Sequence, residues 1–253
     1  MHALDKDLRA GIQALGLALT DAQVAQLLAY MDLIQKWTRV YNLTAVRDPA
    51  EMLTHHLLDS LAVIKPLQNQ LQAGVGVRQG EGDGRFAPCP PPAMQAPPLP
   101  AQNAHPPHPA ISGEPIRLLD VGSGAGLPGA VIAICCPEVS VHCVDTVAKK
   151  AAFIQQVAVT LKLPNLRGIH ARVENLTDTY DVVSSRAFAS LVDFVTWSQK
   201  ALAEQGVWMA MKGKHPADEM TALPAFAKVF HVEQLEVPGL GAERCIVWMR
   251  STE

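Results

Sequence analysis

Residues 118–129 read LLDVGSGAGLPG: a short apolar run closing in an acid, glycine at every second position from 122 to 126, then proline and a fourth glycine. A strand that ends in such a loop turns directly into a helix and leaves its backbone open to a ligand. This restricts the chain to an open α/β sheet whose ligand lies beyond the C-terminal ends of the strands. The downstream pattern agrees. Short β-rich runs at 116–121, 139–145, 166–171, 180–184 and 206–212 alternate with helical runs at about 128–136, 147–162 and 189–203. Alternation of this kind predicts a mostly parallel sheet covered on both faces. The last two runs, 228–237 and 244–250, have no helix between them, which predicts a terminal antiparallel hairpin at the sheet edge.

Upstream, Val24, Leu27, Leu28, Met31, Ile34 and Trp37 recur at helical spacing, and Thr20 with Gln23 forms a capping box, so a helix is expected over 21–37. A second begins at Asp48-Pro49 and runs to about Lys65-Pro66; residues 4–18 read as a weaker one. Residues 88–109 hold ten prolines in twenty-two positions, too little apolar bulk for a core. The expected organisation is therefore an N-terminal helical extension over 1–70, a proline-rich disordered insertion over 71–115, and a ligand-binding α/β domain over 116–253.

Composition narrows the partners. The five cysteines are odd in number and show no CxxC pair, so they read as buried thiols of a reducing, cytoplasmic compartment, with no metal expected. The longest uninterrupted apolar run, Ala130–Cys136, is too short to span a bilayer. With a net charge of -3, binding to nucleic acid must rest on a local basic patch.

Three ligand classes use glycine after the first strand. A nucleoside triphosphate would need Gly-Lys-Ser/Thr, and the one Gly-Lys pair, Gly213-Lys214, is followed by His215. A dinucleotide fits Gly124-x-Gly126-x-x-Gly129 with Asp145 some twenty residues on. Against it stands Asp120, whose carboxylate would oppose a pyrophosphate but would suit the cationic end of S-adenosylmethionine. Asp145 would then accept from the ribose hydroxyls, and Arg172-Val173-Glu174 would lie along the adenine. Asp120 could instead merely cap the loop, the glycines serving a tight turn and close helix packing.

The set Lys36-Trp37, Tyr41-Asn42-Leu43-Thr44, His56-Leu57-Leu58-Asp59-Ser60, Asp120 to Gly129, Lys149-Lys150-x-x-Phe153, Arg172-Val173-Glu174 and Ser185-Arg186-Ala187-Phe188-Ala189-Ser190-Leu191 resembles the bacterial 16S ribosomal RNA guanine-N7 methyltransferases, the RsmG family, also called glucose-inhibited division protein B. The resemblance implies a Rossmann-like S-adenosylmethionine-dependent methyltransferase fold acting on the small ribosomal subunit or its precursor, with neither DNA nor membrane as a partner. It also implies that Gly122 and Leu127 meet the methyl donor from the first loop, where Gly124 is a further candidate, that Val173 and Glu174 meet it near the adenine, and that Arg186 stands at the mouth of the site.

Guanine N7 carries a lone pair and no proton, so transfer needs proximity and alignment and no general base. Basic candidates for RNA are Arg39, Arg47, Lys149, Lys150 and Lys212, together with Arg186 and Lys214; Tyr41 or Phe188 could stack on a splayed base. His56 and Asp59, three apart on a helix, read as a structural pair. The chain departs from the family pattern in its proline-rich insertion and in His55, where relatives often carry Arg or Lys. Two further readings remain at this point: an NAD(P)-dependent oxidoreductase using the same loop, and a non-catalytic RNA-binding or ribosome assembly protein with a methyltransferase fold.

Overall fold

Two helices, α1 (Asp5–Ala14) and α2 (Asp21–Tyr41), open the fold; the computed structural model describes residues 2–78 and 115–252. The capping box forms as expected, Thr20 Oγ1 accepting from the Gln23 amide at 3.2 Å and Gln23 Oε1 from the Thr20 amide at 2.9 Å. Helix α2 continues past Trp37 and stops where Asn42 turns left-handed with φ 51°, a conformation asparagine tolerates better than most residues.

Asp48 accepts from the amides of Ala50 and Glu51 and so starts α3 (Pro49–Met52). The same rod carries a π-helical turn over Leu53–Leu58 and closes as α4 (Asp59–Leu61). The helix expected to reach Pro66 therefore ends earlier. A new one, α5 (Ile64–Arg78), takes Pro66 into its first turn, where a missing N–H breaks no helical bond. Helix α5 also passes the boundary expected at residue 70. The proline-rich stretch and Cys89 lie outside the described residues.

The remainder alternates as read: β1 (Arg117–Val121), α6 (Gly129–Cys135), β2 (Ser140–Asp145), α7 (Ala148–Thr160), β3 (Leu166–His170), β4 (Tyr180–Arg186), α8 (Leu191–Ser198), β5 (Leu202–Lys212), α9 (Ala217–Thr221), β6 (Ala227–Leu235) and β7 (Arg244–Ser251). Strand order is β3-β2-β1-β4-β5-β7-β6, parallel except for the pairs made by β7. The helix expected over 189–203 stops at Ser198, and Leu202 already pairs with Tyr180 in the sheet. The helix-favouring Leu-Ala-Glu-Gln run is overridden there by strand pairing.

Two cores flank the sheet. On one face Leu27, Met31 and Ile34 of α2 share a single cluster with Val131 of α6, Ile154 of α7 and Val182 of β4. On the other, Leu119, Phe194, Trp208 and Val247 pack together. The N-terminal helices thus have no core of their own; their apolar faces complete that of the sheet. Polar side chains at 23, 26 and 30 on α2 add a second connection. Gln23 Nε2 donates to the carbonyls of Ile134 and Cys135 at 3.0 and 3.2 Å, and Gln26 Nε2 to that of Leu161 at 2.9 Å. These are carbonyls at the ends of α6 and α7, which have no partner within their own helices. The buried Tyr30 hydroxyl donates to the carbonyls of Ala125, at 2.6 Å, and Gly126, at 3.1 Å, inside the glycine loop. Among the described residues no helix is long and apolar enough to cross a membrane.

Removing that hydroxyl should destabilise the whole domain. Tyr30→Phe takes the donor from the Ala125 carbonyl, while that of Gly126 still accepts from the Ala130 amide at 2.7 Å, and is expected to cost about 1–3 kcal/mol in urea unfolding; an unchanged midpoint would show that the contact is dispensable.

Candidate functional site

Strand order reverses between β1 and β4, and there a cavity of about 480 Å³ opens beyond the C-terminal ends of the first four strands. The lining that follows β2 and β3 is mostly polar, Asp145, Lys150, Arg172 and Glu174, together with Ala171 and Val173. The lining that ends β1 and follows β4 is Val121, Gly122, Ala187 and Phe188, and α8 contributes Trp197.

The glycine loop is held from both sides. Asp145 Oδ2 accepts from the Gly124 amide at 3.1 Å and Oδ1 from the Val147 amide at 2.8 Å, while Lys150 Nζ stands 3.5 Å from Oδ2. One carboxylate therefore ties the loop after β1 to the start of α7 and still borders the cavity. Gly122 sits at φ +66°, and a side chain there would run into the ring of Phe188. The Phe188 ring in turn meets Trp197 edge-on, centroids 5.7 Å apart.

Several expected site residues are placed elsewhere. Asp120 is fully buried, and its carboxylate does not line the cavity: Oδ2 accepts from the Gly129 amide at 3.0 Å and Oδ1 from Ser184 Oγ at 2.9 Å. A Cβ at Gly129 would come within 2.9 Å of Asp120 Oδ2, so glycine is needed for that approach. The reason lies in strand alternation: Leu119 and Val121 face one core, so Asp120 faces the other, under α6. Leu127 is likewise buried, in the core that the N-terminal helices share with the sheet, and Gly124 touches Asp145 rather than the cavity.

Arg186 is the last residue of β4 and turns away from the cavity. Its Nη1 donates to Asp59 Oδ2 at 2.7 Å and to the His55 carbonyl at 3.0 Å, while Arg244 Nε takes Asp59 Oδ1 at 2.8 Å. Asp59 therefore pairs with two arginines and not with His56, whose Nε2 instead meets Thr44 Oγ1 at 2.7 Å. Lys212 is committed as well, to Glu219 at 2.8 Å and to the Ala189 carbonyl at 3.0 Å; Glu219 also caps α8 through the Leu191 amide. Arg47 donates to Asn42 and Thr38 at the end of α2. Arg39, Lys149 and Lys214 are exposed, and so is Tyr41.

Trp37 packs on Phe153 and Gln26 on the end of α7, so α2 runs antiparallel to α7. Its C-terminal end, with Arg39 and Tyr41, consequently lies at the cavity end of the sheet, as does Lys149 in the first turn of α7. Tyr30, Gln26, Arg244 and Trp197 were not singled out from sequence, and Gln23 only as a cap; Tyr30, Gln23, Gln26 and Arg244 work through partners remote in the chain, and Tyr30 is hidden within an apolar stripe.

A family model described as rRNA small subunit methyltransferase G matches residues 23–83 and 107–247. The chain is 60% identical over 250 residues to the ribosomal RNA small subunit methyltransferase G of a Polaromonas species, covering 99% of this chain and 95% of that one. It is 60% identical over 252 residues to that of Albidiferax ferrireducens, covering 100% and 99%. Among solved structures it is similar to a SAM dependent methyltransferase from Aquifex aeolicus, with TM-score 0.42 and 14% identity over 54% of this chain and 82% of that one.

Burial pushes the Asp120 carboxyl up to about 6, against the lowering effect of its bonds from Gly129 and Ser184. A carboxyl raised in the folded state contributes its stability at low pH and loses it as pH climbs towards 6. Asp120→Asn keeps the shape and removes this loss. Its stability relative to the parent chain should rise between about pH 4 and 6.5, by an amount on the order of 1–3 kcal/mol, and then level off, read as a matching rise in melting temperature. A difference independent of pH in thermal melts would contradict the assignment.

Proposed function

The chain belongs to the rRNA small subunit methyltransferase G family, and we propose that it transfers a methyl group from S-adenosylmethionine to N7 of a specific guanine in 16S rRNA, acting in the cytoplasm on the small ribosomal subunit or its precursor. The observation that carries this reading is the extent of the match: it runs through the cavity residues and through the N-terminal helices beside them, at 60% identity over 99% of the chain.

The residues present fit the donor. The cavity's 480 Å³ suits a nucleoside carrying an amino-acid tail. Asp145 borders it with a carboxylate able to accept from ribose hydroxyls, and Val173 with Glu174 forms the wall for the adenine. That leaves the tail and sulfonium for the lining formed by Gly122, Ala187 and Phe188. Gly124 serves by donating to Asp145, and Asp120 by holding the loop to α6; Leu127 packs the loop into the core that the N-terminal helices share with the sheet. Bound there, S-adenosylmethionine supplies an electrophilic methyl group.

The protein's part is alignment. Guanine N7 offers its lone pair without losing a proton, so no residue has to act as a base. Arg39, Arg47 and Lys149 form the rim that meets RNA phosphates, with Lys150 closer to the donor. Arg186 and Lys212 act indirectly: Arg186 ties β4 to the N-terminal rod through Asp59, and Lys212 fixes the loop that carries Phe188.

Incubating the full chain with unmodified small subunits, or with naked 16S rRNA, and labelled S-adenosylmethionine should place one 7-methylguanosine, mapped by mass spectrometry; its absence from both substrates would reject the reading. Asp145→Asn is expected to weaken donor binding about 10–100-fold in calorimetry, the value of a hydrogen bond to a charged group.

A further inference from the structure

Sequence reasoning assigned the positive charge of the donor to Asp120, but that carboxylate is buried beneath the loop and taken up by Gly129 and Ser184. The carboxylates that do line the cavity, Asp145 and Glu174, follow β2 and β3, where the proposed reading puts ribose and adenine. Where β1 ends and β4 passes into its loop, the lining residues Val121, Gly122, Ala187 and Phe188 carry no charge. Among the side chains there, the electron-rich group offered to a cation is an aromatic ring. Phe188 is the ring set directly against Gly122, on the loop that leaves β4.

That ring is held in place. It is braced edge-on by Trp197, and its loop is pinned on the far side by Lys212 on the Ala189 carbonyl and by Glu219 on the Leu191 amide. The residue before it, Ala187, adopts φ 50°, a left-handed conformation that costs energy in a residue other than glycine. Two independent anchors and a strained residue thus fix one phenylalanine in the uncharged part of the cavity lining.

We propose that Phe188 is a specificity residue for the methyl donor: its ring recognises the sulfonium by a cation–π contact, so the site prefers the charged donor over the neutral thioether left after transfer. The proposal rests on the reading of the cavity as the S-adenosylmethionine site. Phe188 is thereby assigned to the donor, and not to stacking on a splayed RNA base. The contact vanishes when the methyl group leaves and the sulfonium becomes a neutral sulfide, which favours release of the product.

The test measures binding of S-adenosylmethionine and S-adenosylhomocysteine by calorimetry to the full chain carrying, at position 188, phenylalanine with one, two or three ring fluorines. Fluorination keeps the ring's shape and drains its face. Affinity for S-adenosylmethionine should fall stepwise, about ten-fold by the third fluorine, with S-adenosylhomocysteine nearly unchanged. Phe188→Leu should lose the preference and Phe188→Trp should keep it. Equal effects on both ligands, loss of both, or no effect on either would overturn the proposal while leaving the site itself intact. Failure of the unmodified chain to bind either ligand would instead remove the reading on which it rests.

Discussion

A single hydroxyl, that of Tyr30, joins the two ends of this chain's logic. It reaches from the middle of α2 to the carbonyls of Ala125 and Gly126 in the loop that shapes the cavity. Gln23 and Gln26 do the same for the ends of α6 and α7. Within the loop the Ser123 carbonyl accepts from the Gly126 and Leu127 amides and that of Gly126 from the Ala130 amide, whereas the Ala125 carbonyl is met from α2; a buried carbonyl without a donor is costly. The sheet domain therefore depends on a helix that precedes it by nearly a hundred residues. The N-terminal segment is a missing layer of the domain and cannot be cut away to leave a minimal methyltransferase.

How much of this was legible beforehand depended on whether a residue's partner lay near it in the chain. Thr20 with Gln23 and Asp48 with Ala50 are local devices, and the caps formed where they were read. The strand–loop–helix grammar after residue 116 was equally local, and strand order followed the one-sided reversal expected of an open sheet. Boundaries failed where tertiary pairing outweighed propensity, as at Leu202, or where a proline was compatible with a new helix, as at Pro66.

The candidate site was legible in part, for the same reason. Asp145 and the Val173-Glu174 pair border the cavity because the ends of parallel strands converge there, which topology alone predicts. The carboxylate of Asp120 and the guanidinium of Arg186 are engaged away from the cavity lining. Both lie within strands rather than past their ends, so alternation points them into the sheet face, Asp120 beneath α6 and Arg186 towards Asp59. Leu118 and Val182, two and four residues before them, face that same core and carried the signal. Tyr30 had no such signal, since a buried tyrosine within an apolar stripe declares its partner only in three dimensions.

The grouping of Asp59 with Arg186 and Arg244 has an electrical consequence. Lys150 with Asp145 and Lys212 with Glu219 are balanced pairs, whereas one carboxylate set between two guanidiniums leaves a positive charge over. Arg186 ends β4 and Arg244 begins β7 opposite the end of β5, so the surplus stands at the same end of the sheet as the cavity. A chain with a net charge of -3 can thus concentrate its attraction for polyanions at one place while the rest of its surface repels them. Orientation on a long RNA would then arise from the shape of the field before any contact is made.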